Sequence, residues 1–152
     1  MILRSVNISL LTLILMTNCS AQSTNKCEGK VEIQYEKTSR KTKQDGLETD
    51  RNMKSVSIEF LNSFNHKIKG YINGELRFDE TVVTDGITGM SDKYFGYNYS
   101  KDTDLPLVKL SIEDLDKCFE IEVLEKYKLI YVFLSENNEI SVRYSNTIYE
   151  AE

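Results

Sequence analysis

From Val31 onward the apolar residues of this chain recur at every second position. Val31, Ile33 and Tyr35 alternate with Glu32, Gln34 and Glu36, and Val56, Ile58 and Phe60 alternate with Ser57 and Glu59. Alternation of this kind places one side of a strand on a core and the other in water, as in an antiparallel sheet. Ile68 to Ile72 and Glu75 to Val83 flank Asn73-Gly74, the pair favoured in a type I′ hairpin because both central residues need positive φ. Asp85 to Met90 reads as a loop, and Tyr94-Phe95-Gly96-Tyr97-Asn98-Tyr99 as a short aromatic strand. Pro106 opens a strand in which Val108, Leu110 and Ile112 alternate with Lys109 and Ser111. Phe119, Ile121 and Val123 alternate with Glu120 and Glu122, which predicts a strand from Cys118 with one helical turn before it. Leu129 to Leu134 is apolar on both faces and predicts a central strand covered on both sides. A turn at Glu136-Asn137-Asn138 leads into Ile140, Val142 and Tyr144, the last alternating strand. The expectation is an all-β chain, an antiparallel β-sandwich of about eight or nine short strands. A flattened β-barrel is the alternative. The sandwich accommodates the doubly apolar strand more easily, between layers.

The first residues follow a different rule. Arg4 is followed by an uncharged, largely apolar run from Val6 to Met16, then by Thr17-Asn18-Cys19-Ser20-Ala21. A basic end, an apolar middle and small residues at the cut make a secretory signal peptide. The run is too short to span a bilayer, which takes about 20 apolar residues. Residues 1–21 are therefore read as a signal and residues 22–152 as a single β-sandwich domain. Cleavage after Ala21 would release a polypeptide that starts at Gln22, soluble in the periplasm or secreted. Alternatively, Met16-Thr17-Asn18-Cys19 resembles the lipobox of bacterial lipoproteins, with Met16 where the family usually has Leu and Asn18 where it prefers Gly, Ala or Ser. The resemblance implies lipidation of Cys19, cleavage just before it, and a lipoprotein of the outer membrane or periplasm. On that reading the membrane is met only through the N-terminal lipid.

Whether Cys19 carries lipid or leaves with the signal, Cys27 and Cys118 are the two of the three cysteines left free to pair. An oxidising compartment favours a disulfide between them. A tetrahedral metal set is not available from one histidine and two distant cysteines. Loss of Arg4, the only charge in residues 1–21, takes the formal charge from −5 to −6. This acidity argues against nucleic acid and anionic membrane surfaces as partners, since both require basic patches. The tract from Thr38 to Met53 carries both signs of charge and the single apolar Leu47 before its final Met53. It reads as a long solvated loop or hairpin tip.

Candidate chemistry is sparse. The lone histidine, His66, follows Asn62-Ser63-Phe64-Asn65, where a turn is expected. The chain has no G-x-S-x-G elbow, no H-E-x-x-H pair and no glycine-rich phosphate loop. Asp102 and Asp104, with Glu113, Asp114 and Asp116 further on, form an acidic stretch suited to calcium at a strand end, although the D-x-D-x-D-G pattern is missing. No other cofactor is implied. Phe95, Tyr97 and Tyr99 share one face of their strand, with Tyr94 opposite. Either they form a platform for a protein or sugar ring, or they pack the core. The absence of Trp weakens the sugar reading. Two functions remain: a non-enzymatic cell-envelope module that binds a protein or surface glycan, and a small hydrolase working through paired carboxylates.

Overall fold

The computed structural model describes residues 27, 29–37, 48–101 and 104–149. The signal and lipidation expectations at Cys19, the calcium candidate Asp102 and residues 38–47 of the polar tract lie outside them. Among the described residues nine strands run in order: β1 Glu32–Tyr35, β2 Ser55–Asn62, β3 Asn65–Ile72, β4 Glu75–Val83, β5 Met90–Asn98, β6 Leu107–Ile112, β7 Lys117–Glu122, β8 Leu129–Leu134 and β9 Ile140–Ser145. One 3-10 turn, Glu113–Leu115, precedes β7, where the helical turn was expected.

The strands form two sheets that pack face to face as a sandwich. One has the order β1-β9-β8-β2-β5 and the other β4-β3-β6-β7, and they do not close into a barrel. Burial follows the alternation. Ile58 and Phe60 of β2, Ile68 of β3, Leu110 of β6, Phe119 of β7 and Val132 of β8 are all buried in one cluster drawn from both sheets. Aromatic rings stitch the layers together. Phe78 of β4 stacks on Phe60 at 5.7 Å between centroids and on Phe95 of β5 at 5.2 Å. Gly70 makes room for this stack, because a Cβ there would lie 2.8 Å from the Phe95 ring. At the β3–β4 turn, Asn73 has φ 50° and Gly74 φ 84°, the geometry expected of Asn-Gly.

Two pairings depart from the antiparallel expectation: β1 with β9 and β2 with β8 are parallel. Side chains alternate with the same period in either direction, so the hydrophobic pattern is blind to strand polarity. His66 is a second correction. It lies within β3 opposite Val82 rather than in a turn. The turn into β3 is tighter than the polar run implied, with Asn62 taking φ 79°.

β8 is the middle strand of its sheet and is covered on both faces. Its outward residues Leu129 and Tyr131 join Leu61 in a second buried cluster, packed by Tyr149. The chain after β9 folds back to make this cover. Tyr131 donates its hydroxyl hydrogen to the Thr147 carbonyl at 2.9 Å, and the Tyr149 N–H donates to the Tyr131 oxygen at 2.9 Å. Glu48 bridges to Thr147 alongside.

Cys27 and Cys118 form a disulfide with Cα atoms 5.1 Å apart. Next to it the Gly29 N–H donates to the Cys118 carbonyl at 3.2 Å, and a Cβ on Gly29 would sit 2.5 Å from that oxygen. The bond therefore holds the chain against the edge strand of one sheet just before it enters β1, the edge strand of the other. Such a bond is consistent with an extracytoplasmic location. No described helix is long and apolar enough to cross a membrane.

Candidate functional site

The two faces of the aromatic strand β5 differ, one buried and one exposed. In β5, Phe95 stands opposite Ile58 and Tyr97 opposite Val56, both inward positions of β2. Phe95 is 5 % exposed and Tyr99 4 %, and Tyr97 packs half-buried against the same core. The exposed-platform reading of Phe95, Tyr97 and Tyr99 is thus corrected: the second sheet covers that face. A buried tyrosine needs a partner for its hydroxyl. Tyr99 finds one in Lys128, whose Nζ lies 3.3 Å from the phenolic oxygen and donates to the Glu125 carbonyl at 2.7 Å. Lys128 is itself 3 % exposed. Nothing in the sequence distinguishes it from its neighbour Lys126.

The opposite face of β5 carries Tyr94, 66 % exposed, then Gly96 and Asn98. Across the strands, Tyr94 pairs with Glu59, Gly96 with Ser57 and Asn98 with Ser55, while Ser57 also pairs with Leu129 of β8. Small side chains on β2 and β5 make a floor. Tyr94 rises at one end, and Thr49 and Met53 rise from the segment that leads into β2. Together with Leu129 and Lys128 they enclose a mostly apolar groove of about 350 Å³. This is at the low end of the volumes that hold a ligand.

Gly96 gives the groove its interest. Glycine inside a strand sacrifices stability and side-chain packing, and it marks a bulge or a close approach by another group. Gly96 has no positive φ, and a Cβ there would meet only the Val56 carbonyl, at 3.4 Å. Gly29 and Gly70 are demanded by their surroundings. Gly96 is not.

Glu59 lies one position along the same face of β2 from Ser57. Its carboxylate is half-buried, and Ser57 Oγ donates to it at 3.4 Å. Among the described residues no Lys, Arg or His reaches it within ion-pair distance. Burial pushes the Glu59 carboxyl above the usual range, with the Ser57 hydroxyl opposing it more weakly. Burial first, and then the Glu59 charge, push the Tyr131 hydroxyl up as well. The strand neighbours of Glu59 are Tyr94 and Tyr131, and the charge of Glu36, whose carboxylate accepts from Ser145 Oγ, also acts on the Tyr131 hydroxyl. The alternation had marked Glu59 only as a solvent-facing partner of Ile58.

Other candidates are chemically quieter. His66 Nδ1 lies 2.5 Å from Asp114 Oδ2, which holds the Asp114 carboxyl below its usual range. Among the described residues no hydroxyl or thiol hydrogen-bonds the ring, so the pair lacks a nucleophile. It fastens β3 to the 3-10 turn. Asp104 is exposed, and among the described residues no group of three His, Cys, Asp or Glu side chains could hold a metal. A larger cavity of about 660 Å³ is lined by Arg51, Lys54, Leu105, Leu124, Glu125 and Lys126. Its cations are already engaged: Arg51 pairs with Glu48, Lys54 pairs with Glu125, and Lys126 lies over the Tyr35 and Tyr127 rings. The groove beside Gly96 is therefore the stronger candidate. No family model matches this chain, and no curated protein or solved structure resembles it significantly.

Proposed function

We propose that this chain is an exported, non-enzymatic binding domain of the cell envelope, and that a segment of a partner protein or surface glycan sits in the groove of Tyr94, Gly96 and Ser57. The observation that carries this reading is Gly96, a strand-interior glycine that the fold does not require and that floors the groove. Protein fits better than glycan. The walls are largely Tyr94, Met53 and Leu129, the chain has no Trp, and β5 is the outermost strand of its sheet. Beyond the Thr84–Ser91 bridge, an incoming strand could pair with that edge by main-chain hydrogen bonds while its side chains enter the groove.

The experiment that tests this fills the groove without disturbing the core. Gly96→Val replaces a poor strand residue with a good one, so the melting temperature should hold or rise. Capture of a partner from native envelope by the tagged mature protein should be lost. Undiminished capture by a folded Gly96→Val protein sinks the reading.

Export and tethering belong to the same proposal. The support is the layout of residues 1–21, with Cys19 at the end of the apolar run, and the disulfide downstream. Intact mass of the protein from its native host is expected to show a chain that begins at a lipidated Cys19. A start at Gln22 removes the lipid from the account, and a retained Met1 removes export.

A further inference from the structure

We infer that the guest of this groove is an extended polypeptide carrying an arginine or lysine, whose cationic head meets Glu59 while its stem lies over Ser57 and Gly96. The inference rests on the reading of the groove as a binding site and adds the chemistry of the ligand.

The first support is the contrast between Glu59 and other acids on the fold. Asp79 pairs with Lys67, Glu113 with Lys69, Glu75 with Arg77, Glu125 with Lys54 and Asp114 with His66. Most of these carboxylates are more exposed than a groove would leave them, yet each has a cation. Glu59 is half-buried and meets only the Ser57 hydroxyl, at 3.4 Å, among the described residues. Glu36 is likewise half-buried with only the Ser145 hydroxyl, but it follows β1 at the far edge of the sheet, whereas Glu59 adjoins the groove. Removing a carboxylate from water without a counter-charge is unfavourable, and an arriving cation reverses that penalty.

Placement is the second support. Ser57 and Glu59 lie two residues apart on one face of β2, about 7 Å along the strand. A lysine or arginine side chain spans that distance. Its aliphatic stem would cover the small-residue floor, which suits a side chain with an apolar body and a charged tip. Tyr94, directly across from Glu59 and 66 % exposed, offers a ring face on which a guanidinium stacks. The third support is charge: the chain carries a formal −5, a field that attracts basic segments.

The test measures binding of the full mature chain to short immobilised peptides, randomised apart from one central position held as Arg, as its neutral isostere citrulline, or as Glu. Arg peptides are expected to bind about tenfold or more tightly than citrulline peptides, since a desolvated ion pair is worth that factor or more. Glu59→Gln should erase the difference, lowering Arg-peptide binding to the level of the citrulline peptides. It should not lower the melting temperature, because glutamine keeps the side-chain volume and an oxygen that accepts from Ser57 Oγ, and no ion pair among the described residues is lost with the charge. Gly96→Val should abolish binding of every peptide. An Arg preference that survives Glu59→Gln, or no preference at all, overturns the inference and leaves the groove reading intact. Full binding by Gly96→Val overturns the groove reading itself. One more outcome counts against the inference. If Arg40, Lys41 and Lys43 of the chain's own polar tract couple to Glu59 in a double-mutant cycle without peptide, the cation on Glu59 is internal.

Discussion

Phe95→Ala is expected to lower the unfolding free energy by about 3–5 kcal/mol, the penalty for deleting a buried aromatic. Tyr94→Ala, one residue earlier in the same strand, should leave it within about 0.5 kcal/mol. The contrast follows from the pleat. Phe95 points between the sheets, stacks on Phe78 at 5.2 Å and lies over Gly70. Its removal opens a cavity bounded by both layers, and Phe78 loses its partner on one side. Tyr94 points the other way and is 66 % exposed, so few contacts vanish with it. Urea unfolding of the two variants beside the parent chain measures both numbers. A small loss for Phe95→Ala beside a large one for Tyr94→Ala would mean that β5 is turned over relative to β2, and the groove would then be misplaced as well. Tyr99→Ala should resemble Phe95→Ala for a second reason. It also leaves Lys128 buried with one hydrogen bond fewer, and a buried donor without its acceptor is costly.

This strand also shows how far residues alone carry the argument. The alternation in Tyr94 to Tyr99 correctly placed Phe95, Tyr97 and Tyr99 on one face. It could not say whether that face was inside, because aromatic residues suit a core and a binding platform equally well. The deciding information is which strand lies opposite, and that depends on contacts distant in sequence. Glu59 was misjudged for the same reason. Alternation against Ile58 and Phe60 assigns it to water, yet its flanking partners are Tyr94 and Tyr131, which take much of that water away. The cover over Tyr131 comes from Tyr149, and no local pattern couples those two residues.

Where the physics is local, the residues spoke clearly. Asn73-Gly74 gave its hairpin because positive φ at two consecutive positions is a property of those residues themselves. Leu129 to Leu134 gave the middle strand because six successive apolar residues cannot have a wet face. Strand direction was not legible. The parallel pairing of β1 with β9 joins segments separated by nearly the whole described chain, and a polar or apolar side chain is the same in either polarity. The partner of Lys128 was equally hidden, since the hydroxyl that receives it belongs to a tyrosine from another strand's end.

Removing the Cys27–Cys118 bond, by Cys27→Ser together with Cys118→Ser, should lower stability by about 2–4 kcal/mol. The two cysteines are 91 residues apart, and closing a loop of that length removes about 4–5 kcal/mol of chain entropy from the unfolded state. Residual structure in the unfolded chain takes back part of that. The loss should not be spread evenly over the fold. β1 has four residues and one sheet partner, β9. Its entry is fixed by the disulfide and by the Gly29 hydrogen bond to the Cys118 carbonyl. Without the bond, β1 must hold its register through a short parallel ladder, so it should open first. Hydrogen exchange is expected to accelerate most at Ile33 to Glu36, while β8, flanked on both edges and covered on both faces, keeps its protection. Arg143 and Ser145 of β9, which bond Gln34 and Glu36, would lose those partners in the opened state. Uniform acceleration across both sheets would mean that the bond acts only on the unfolded chain. Quantitative thiol labelling of folded, never-reduced protein would remove the premise altogether.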